Sequence, residues 1–452
     1  MGTGLSSPNK RIPPRMTQIS RLFATTLIAS GGFFALAQPA MASGFYLQEQ
    51  SARATGRADS GEIADTGADS LWWNPAAIGG MIGGDVSINA TEILPRATVT
   101  DTGSLIVRPG QYPASVGGNP VTNDPISNGL VPQGAIAHAL TRQIAVGLAI
   151  SAPYNFTTNY AADSFARYSA LSTRLRTIDI QPTVAVHFDG PDGIGINLGG
   201  GINIERASAT FGNALPNLVA ALPDGQQILS GHGWDVGFSL GARIEAGRLS
   251  FGTSYKSAIV HHLDGQVVVS GLDGPLAASN GSTATTASFT TPWQLGAGAR
   301  YKLTQRLTLD AEVIRFGWSK FNQINLGAPL DTAIPENYRN TWNYALGLDA
   351  DVAKGWTVRG GVQRDLSPVQ DDQRDARVPD SNRWTFATGA SHDVTRNLTL
   401  DAAFNYVALK SAAIDRPTEA YVGTAVATPV LMSGEVTSAH VFIVSFGGRL
   451  RF

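Results

Sequence analysis

The chain has 452 residues, a formal net charge of −2 and no cysteine, and charged residues make up 15% of it. The near-neutral charge points to no nucleic-acid partner, and the lack of cysteine excludes disulfides, thiolate catalysis and the common structural zinc sites. Few charges combined with 50 glycines depart from the composition of soluble proteins and are typical of the alternating strands of a transmembrane β-barrel.

Residues 1–42 have the organisation of a secretory signal peptide. Basic residues precede an apolar stretch at 22–37, and Ala-Met-Ala at 40–42 supplies the small residues that signal peptidase requires. The apolar stretch is too short to span a membrane comfortably, which argues against an anchor. We predict cleavage after Ala42.

Residues 43–83 do not follow a strand pattern. Within them, "SLWWNPAAIGGM" at 70–81 runs two tryptophans into Asn-Pro and then into small residues. The proline and the glycines exclude a regular helix or strand here. Such a segment is either a periplasmic extension or a plug inside a barrel, and a barrel of fourteen strands is wide enough to hold a plug.

From residue 84 onward the sequence consists of segments in which apolar and polar residues alternate, as in strands with one apolar face. In the last segment Phe442, Val444 and Phe446 share one face, and Ser445 lies on the other. So many apolar faces without amphipathic helices to cover them require lipid, and no later stretch reaches the ~20 apolar residues of a spanning helix. The segments lie near 84–100, 131–140, 143–158, 173–188, 193–206, 234–246, 248–265, 285–302, 306–321, 339–353, 356–368, 383–395, 398–410 and 436–452.

The connections alternate between tight turns, such as 141–142, and long loops, such as 101–130. Short periplasmic turns and long extracellular loops are typical of an outer-membrane barrel, and an even number of strands closes the sheet. We therefore predict an all-β membrane protein with a 14-stranded antiparallel transmembrane β-barrel over 84–452. The alternative is a secreted β-sandwich or propeller, but the Asn- and Gly-rich opposite faces would make no core for it.

No catalytic or metal site emerges from the sequence, and we expect neither a cofactor nor an enzyme. The stretch "GFSLG" at 237–241 has the form of a nucleophile elbow, but it lies inside an alternating strand instead of a strand–turn–helix unit. An outer-membrane lipid hydrolase with Ser239 as nucleophile is nevertheless the alternative from a different functional class. His261 and His262 point to opposite faces of a strand and cannot ligate one metal ion together.

Two stretches resemble the FadL family of outer-membrane transporters of long-chain fatty acids and hydrophobic compounds. Residues 43–78 resemble the family's N-terminal hatch, with its G-F-x-L-x-E-x-S and N-P-A patterns, and 365–389 resembles its D-x-S-P-V…P-D-x-x-R-x-W segment. The matching positions are Gly44, Phe45, Leu47, Glu49, Ser51, Gly56, Arg57, Ala58, Ser60, Gly61, Ala64, Asp65, Asn74, Pro75 and Ala76 in the first, and Asp365, Ser367, Pro368, Val369, Pro379, Asp380, Arg383 and Trp384 in the second.

The resemblance implies a monomeric outer-membrane barrel, surrounded by outer-membrane lipids, with residues 43–83 as a hatch inside it. It also implies a passive route for a long-chain fatty acid or another hydrophobic small molecule. The substrate is captured in an apolar groove among extracellular loops, held in a pocket against the hatch, and released sideways through a kink in the third strand. Import of small aromatic hydrocarbons is the alternative within this class.

Four groups of site residues follow from these expectations. In the hatch, Trp72 and Trp73 are not demanded by the resemblance, and we favour wedging the plug over lining the pocket for at least one of them. In the third strand, Pro153 is expected to open the wall beside Tyr154 and Asn155, the alternative being a harmless proline beyond the membrane.

The other two groups concern the substrate. Arg206 matches a basic position of the family that can meet a ligand carboxylate, but unbroken alternation would point it outward, and the two orientations remain open. In the connection 211–234, an apolar face of a short helix is expected to contribute to the capture groove. That face comprises Leu215, Leu218, Val219 and Leu222.

Overall fold

The computed structural model describes residues 1–2 and 44–452, and 44–452 belong to one compact unit. The predicted signal peptide and its cleavage site after Ala42 lie outside the described residues. No helix in the described part of the chain is long and apolar enough to cross a membrane.

Fourteen antiparallel strands form the wall of a closed barrel, and four of them consist of two segments each. The strands are β1 Gly84–Asp101, β2 Gly129–Ala139, β3 Ile144–Ser151 and Asn155–Asn159, β4 Ser172–Asp189, β5 Gly195–Leu215, β6 Gly225–Ala246, β7 Leu249–Lys256 and Ile259–Ser270, β8 Gly281–Thr291 and Gln294–Lys302, β9 Leu307–Phe316, β10 Thr341–Ala353, β11 Trp356–Asp365, β12 Arg383–Asp393, β13 Leu398–Leu409 and Ala412–Ala420, and β14 Thr428–Arg451.

The barrel closes through β1, which pairs with β2 on one side and with β14 on the other. Ile93, for example, lies between Gly129 and Ile443. Closure leaves no row of unpaired backbone groups facing hydrocarbon, where each would be costly. The prediction of a fourteen-stranded antiparallel barrel is therefore confirmed.

Side chains alternate between the lumen and the outside as the sequence indicates. On β9, Asp310 and Glu312 are buried on the lumen side, and on β14 Phe446 is exposed while Ser445 is buried. Exposed apolar side chains of the outer face include Val184, Leu198, Ile202, Phe238, Leu240, Leu346, Phe386, Leu400 and Phe446.

The connections at one end of the barrel are tight, and those at the other end carry their own structure. Gly247, with a φ of 58°, allows a two-residue turn between the paired Ala246 and Leu249. The long loops contain short strands at Leu105–Ile106, Ala114–Ser115, Val121–Asn123, Gln323–Leu326 and Thr332–Pro335, and 3-10 helices at Phe165–Tyr168, Gly274–Ser279 and Trp318–Lys320. A further 3-10 helix, Pro191–Gly193, lies in the turn between β4 and β5.

The helix expected within 211–234 does not form, and that prediction is wrong. β5 and β6 continue as one paired ladder up to Leu215 and Gly225, which leaves only residues 216–224 as the connection. The ladder satisfies the backbone groups of both strands, so this hairpin replaces a helix whose sequence spacing was compatible but short.

Residues 44–83, called the N-terminal segment below, form short helices joined by glycines. They comprise α1 at Ala52–Thr55 and 3-10 helices at Glu62–Ala64, Ala68–Ser70 and Pro75–Ile78. Ser51 caps α1 by accepting the N–H of Ala54. Nearly every residue of the segment is buried, because it packs against lumen-facing residues of the barrel strands.

Candidate functional site

The Asn-Pro-Ala motif forms a capped turn that ties the N-terminal segment together and to the wall. Asn74 Oδ1 accepts the N–H of Ala76 at 2.9 Å and caps the helix Pro75–Ile78. Asn74 Nδ2 donates to the carbonyl oxygens of Ile63 at 2.6 Å and of Ala242, on β6, at 3.2 Å. One fully buried amide thus joins two pieces of the segment to a barrel strand.

The wall carries glycine where the motif touches it. A Cβ atom on Gly241 would lie 1.9 Å from Asn74 Oδ1, and one on Gly199 would lie 2.3 Å from the carbonyl carbon of Pro75. Both distances are far below van der Waals contact, so only glycine permits this approach. Gly199 on β5 and Gly241 on β6 therefore let the backbone of the motif lie directly against the wall.

Trp72 and Trp73 are buried in the segment, with 1% and 3% of their surfaces exposed. The Trp72 ring lies against Tyr46, and the Lys256 ammonium sits 3.2 Å from its centre, in cation–π geometry. The carbonyl oxygen of Trp73 accepts the hydroxyl of Ser254 at 2.6 Å. Both tryptophans therefore contact the wall on β7.

A buried charge network links the segment to strands β8 and β10 of the wall. Arg57 contacts Glu62 within the segment and Asp349 on β10 at 2.9 Å, and Asp65 lies 2.7 Å from Arg57. Arg300 on β8 contacts both Asp65 and Asp349, the latter at 2.7 Å. Asp65 and Asp349 therefore each have guanidinium partners both from the segment and from the wall.

The pKa of the Asp65 carboxyl reflects this network. Burial would raise that pKa, but the guanidinium groups of Arg300, Arg53 and Arg57 outweigh burial and hold it well below its usual value. Breaking one partner of such a network leaves a buried charge uncompensated, which is strongly destabilising. The network therefore fixes where the segment sits.

The two stretches that resemble FadL meet in space. The N–H of Gly44 donates to Asp380 Oδ2 at 2.9 Å, and the hydroxyl of Ser367 donates to the same atom at 2.7 Å. Arg383 lies 3.0 Å from Asp380 Oδ1, and Glu49 is buried close enough for Arg383 to affect its carboxyl. The segment between β11 and β12 thus holds the beginning of the N-terminal segment.

Strand β3 is interrupted at Pro153. Its first segment ends at Ser151 and its second begins at Asn155. The backbone between the two segments forms hydrogen bonds with the N-terminal segment instead of with β2. Leu47 N–H donates to the Pro153 carbonyl oxygen at 2.7 Å, and Asn155 N–H donates to that of Phe45 at 3.1 Å. Tyr154 also forms an isolated antiparallel β-bridge with Tyr46 of the N-terminal segment.

The interruption changes the pairing on both sides of β3. On β4, Asp179 pairs with Ser151 and Arg176 pairs with Asn155. Between these two pairs β3 advances by four residues and β4 by three, so β3 contains one extra residue. On the other side, the ladder with β2 ends at Ile150. The wall between β2 and β3 is therefore unpaired beyond this point except for contacts from the loop before β2.

Aromatic side chains fill the lumen beside the interruption. Phe45 packs against Phe156 at 5.7 Å, Trp318 at 4.9 Å and Phe321 at 5.0 Å between ring centres. A small cavity of about 20 Å³ lies at this cluster, which is room for about one water molecule. Its lining comprises Phe45, Phe156, Thr173, Leu175, Phe211, Phe289, Phe321, Ile324, Glu336, Tyr338, Arg377 and Val378.

Arg206 lies on the outer face of β5, and the alternative in which it turns into the lumen is wrong. Ile202 and Ile204 are exposed, while Asn203 and Glu205 are buried. The ladders of β5 with β4 and β6 keep one register through this region, so no bulge reverses the alternation. The lumen residue beside it is the acidic Glu205, which lies 3.2 Å from His261 Nε2.

The four loop leucine and valine positions do not share one face. Leu215 is buried with Leu272 and Leu276, and Leu218 packs against this small cluster from outside. Val219 and Leu222 are exposed at the tip of the β5–β6 connection. These four residues therefore do not form the apolar helix face that was expected to contribute to a capture groove for the substrate.

The motifs set aside in the sequence are structural here. Ser239 lies within β6 and donates to Asn203 Oδ1 at 2.6 Å. The side chain of His261 is fully buried and that of His262 is 71% exposed, so the two point apart. No cluster of potential metal ligands occurs within the described residues.

Two parts of the site were missed by sequence reasoning. Alternation predicts that the polar residues of a strand face the lumen, but it does not predict which arginines meet carboxylates there, as Arg300 meets Asp310 and Arg449 meets Asp401. The aromatic cluster draws Trp318, Phe321 and Tyr338 from loops, where side chains follow no period. A concentration of aromatic residues in 316–321 was its only local signal.

A closed barrel with an apolar outer face and a polar lumen defines a bacterial outer-membrane protein. The chain belongs to the outer membrane protein transport protein family (OMPP1/FadL/TodX), whose profile matches residues 33–449. It is therefore an outer-membrane protein of a family of transport channels for hydrophobic molecules, not of enzymes, and the resemblance to FadL is confirmed.

Similar proteins extend over most of the chain. A putative outer membrane protein of Neisseria meningitidis is 24% identical, covering 86% of this chain and 90% of its own. A long-chain fatty acid transport protein of Escherichia coli K12 is 22% identical, covering 83% and 90%. A Pseudomonas aeruginosa FadL homologue has a similar fold, with a TM-score of 0.78, 21% identity and coverage of 90% and 100%. The Ralstonia pickettii toluene transporter TbuX gives a TM-score of 0.60, with 18% identity and coverage of 91% and 99%.

Proposed function

We propose that this protein is a passive channel that carries long-chain fatty acids across the outer membrane and releases them sideways through the wall at β3. The observation that carries the proposal is the interruption at Pro153 beside a cluster of lumen aromatics. Each methylene of a fatty acid contributes ~0.8 kcal/mol when it leaves water. A sideways route keeps the chain in apolar surroundings, whereas an aqueous lumen would forfeit that energy.

In this proposal the N-terminal segment acts as a hatch. Its support is the burial of residues 44–83 and their ties to the wall through Asn74, Arg57 and Gly44. Trp72 and Trp73 serve to wedge it, since neither lines the aromatic cavity. A monomer needs no partner to complete this arrangement, and outer-membrane lipids accept the released substrate.

The aromatic cavity is the proposed holding site, and a substrate has to displace side chains to enter it. The unfilled space is about 20 Å³, far below the roughly 300–1,000 Å³ of drug-sized ligand sites. Phe45 joins the cavity to the interruption, because its carbonyl oxygen accepts the N–H of Asn155. A chain that displaces Phe45 therefore also disturbs the edge of the proposed opening.

Deletion of Pro153 tests the sideways route. It removes the one extra residue of β3 relative to β4, so a continuous ladder can form across the interruption. We expect uptake of radiolabelled oleate by cells that carry this channel as their sole fatty-acid importer to fall to background. Deletion of Gly423, in an exposed loop turn, is the matched control and should leave uptake unchanged.

Surface amount and heat-modifiable gel mobility are measured for both deletions, so that lost uptake is not confused with lost folding. A folded Pro153 deletion that imports oleate at the normal rate would rule out release at this site.

Small aromatic hydrocarbons are the second candidate substrate, favoured by the likeness to the toluene transporter TbuX and by the aromatic lining of the cavity. The curated relatives named as long-chain fatty acid transport proteins favour the first candidate. Competition between oleate and toluene for uptake separates the two: toluene should displace little oleate if fatty acids are the substrate.

A further inference from the structure

One arginine at the wall of the aromatic cavity has no carboxylate partner. Arg377 lies in the connection between β11 and β12 and lines the cavity with Glu336 and Tyr338. Its Nε donates to the carbonyl oxygen of Ser169 at 3.0 Å. Within residues 44–452, its two terminal nitrogens make no hydrogen bond or ion pair. This guanidinium is therefore half-buried, positioned and unpaired.

The backbone around Arg377 is held in place. Its N–H donates to Asp375 Oδ1 at 2.8 Å, and its carbonyl oxygen accepts the hydroxyl of Thr158 at 3.2 Å. The hydroxyl of Tyr160 donates to the neighbouring carbonyl of Ala376 at 2.9 Å. The side chain thus projects from a fixed loop that touches the second segment of β3.

The other charges near Arg377 are paired with one another. Arg416 lies 2.9 Å from Asp375 and 3.5 Å from Glu336, so one guanidinium serves two carboxyl groups. Arg374 is occupied by Asp371 at 2.9 Å. Arg377 supplies the remaining positive charge of this group without direct contact to a carboxylate.

Glu336 moderates that charge. Burial raises the pKa of Glu336 to about 7, while Arg416 opposes the shift. The carboxyl group is therefore partly protonated at neutral pH, and its protonation leaves a positive charge unbalanced at the cavity. The neighbouring Tyr338 and Tyr160 stay neutral, because burial raises the pKa of both phenols.

We propose that Arg377 binds the anionic head group of an amphiphilic substrate whose hydrocarbon chain lies against Phe45, Phe156 and Phe321. The proposal rests on the transport function above and narrows the substrate to long-chain carboxylates. A planar guanidinium with two free terminal nitrogens matches a carboxylate in bidentate geometry, and such charge-assisted bonds are the stronger kind. A neutral aromatic hydrocarbon would leave the half-buried charge without a partner.

Binding of a carboxylate at Arg377 has a consequence for protons. The added negative charge lies beside Glu336 and favours its protonated form. We therefore expect proton uptake on binding, and an affinity for carboxylates that decreases as the pH rises through the pKa of Glu336. A neutral ligand with the same chain should show neither effect.

The test compares oleate with oleyl alcohol, which has the same chain without the carboxylate. Binding is measured on the full-length protein in lipid nanodiscs by displacement of an apolar fluorescent probe. Arg377→Gln should weaken oleate binding by ~10-fold or more and leave oleyl alcohol binding unchanged. Arg377→Lys keeps the charge and should restore part of the oleate affinity, and Glu336→Gln should flatten its pH dependence.

Arg339→Gln is the matched control, because Arg339 is an exposed loop arginine whose Nε also donates to one carbonyl oxygen, that of Ser367. It should change neither ligand's affinity. Equal losses for both ligands in Arg377→Gln, or no loss for oleate, would overturn the assignment while the transport function stands. Wild-type protein that binds neither ligand and imports neither would instead refute the function itself.

Discussion

At the scale of single residues, Asn74 carries an unusual number of roles for a side chain without charge. Its amide caps a helix and donates to Ile63 and Ala242. Asn74→Ala leaves two buried carbonyl oxygens without their donor and removes the cap, and we expect a loss of about 2–4 kcal/mol of stability. The check is the temperature at which the folded form converts to the unfolded form in a gel-shift assay.

Asn280→Ala is the control for that substitution. The Asn280 amide also bonds backbone, at both the N–H and the carbonyl oxygen of Leu272, but in an exposed loop. Water can replace those bonds, so the conversion temperature should hardly change. An equally small effect of Asn74→Ala would show that the capped turn does not hold the segment.

Asp59 is a buried acid whose carboxyl oxygens have no hydrogen-bond partner within the described residues. Burial raises the pKa of this carboxyl well above its usual value, and the carboxylates of Glu49 and Glu312 raise it further. The unfolded chain therefore ionises at a lower pH than the folded protein. The folded protein keeps the stability of the protonated Asp59 form below the unfolded pKa of Asp59. This stability is lost as the pH rises through the folded pKa of the same group.

Asp59→Asn removes this titration, and asparagine tolerates the φ of 58° at this position. The conversion temperature of the variant should exceed that of the wild type at about pH 8 and by much less at about pH 4. A difference that is the same at both pH values would mean that the pKa of Asp59 is the same in the folded protein and in the unfolded chain.

At the scale of elements, strand prolines differ in what they do. Pro132 on β2 and Pro182 on β4 lie in ladders that continue past them. Pro153 differs because one extra residue shifts the register of β3 and the N-terminal segment supplies the missing backbone partners. A proline in a strand is visible in the sequence, but the partner that accepts the displaced backbone is not.

The β5–β6 hairpin is a second element that the sequence alone did not predict, because a helix was expected where the two strands continue. Glycine and serine at 230–233 hide the alternation, while apolar residues nearby fit a helical period by chance. Pairing with a neighbour decided the outcome, since both strands bond along their whole length. Local periodicity is weakest where a strand leaves lipid and its outer face no longer has to be apolar.

At the scale of the whole molecule, the outer face has to match hydrocarbon. Leu346 on β10 is 61% exposed and lies in an outward row with Tyr344 and Leu348. Leu346→Arg should destabilise the barrel in lipid by about 2–4 kcal/mol if this row lies near the bilayer midplane, with Leu346→Ala as the control. The measurement is the folded fraction in lipid vesicles over a denaturant series. Equal stability of the two variants would place the row outside the membrane.

The number of strands, their order and the inward orientation of Ser445 could be predicted from the sequence. Alternation and turn length are local features of the sequence, and the need for an apolar face toward lipid makes them regular. The contacts that define the site could not be predicted. Arg57 finds Asp349, and Phe45 finds Trp318, only once the barrel has closed. Nothing in the sequence distinguishes Arg377 from other arginines. It stands out only in the folded protein, where its terminal nitrogens have no carboxylate partner within residues 44–452.

The hydrogen bond between Gly44 and Asp380 also bears on the order in which contacts form during folding. The two residues are 336 positions apart, and synthesis makes the N-terminal one first. Contacts so distant in sequence are slow to form, because closing the long loop between the two residues costs chain entropy before the contact compensates for it. The N-terminal segment can therefore complete its contacts only after the strands late in the chain have joined the wall.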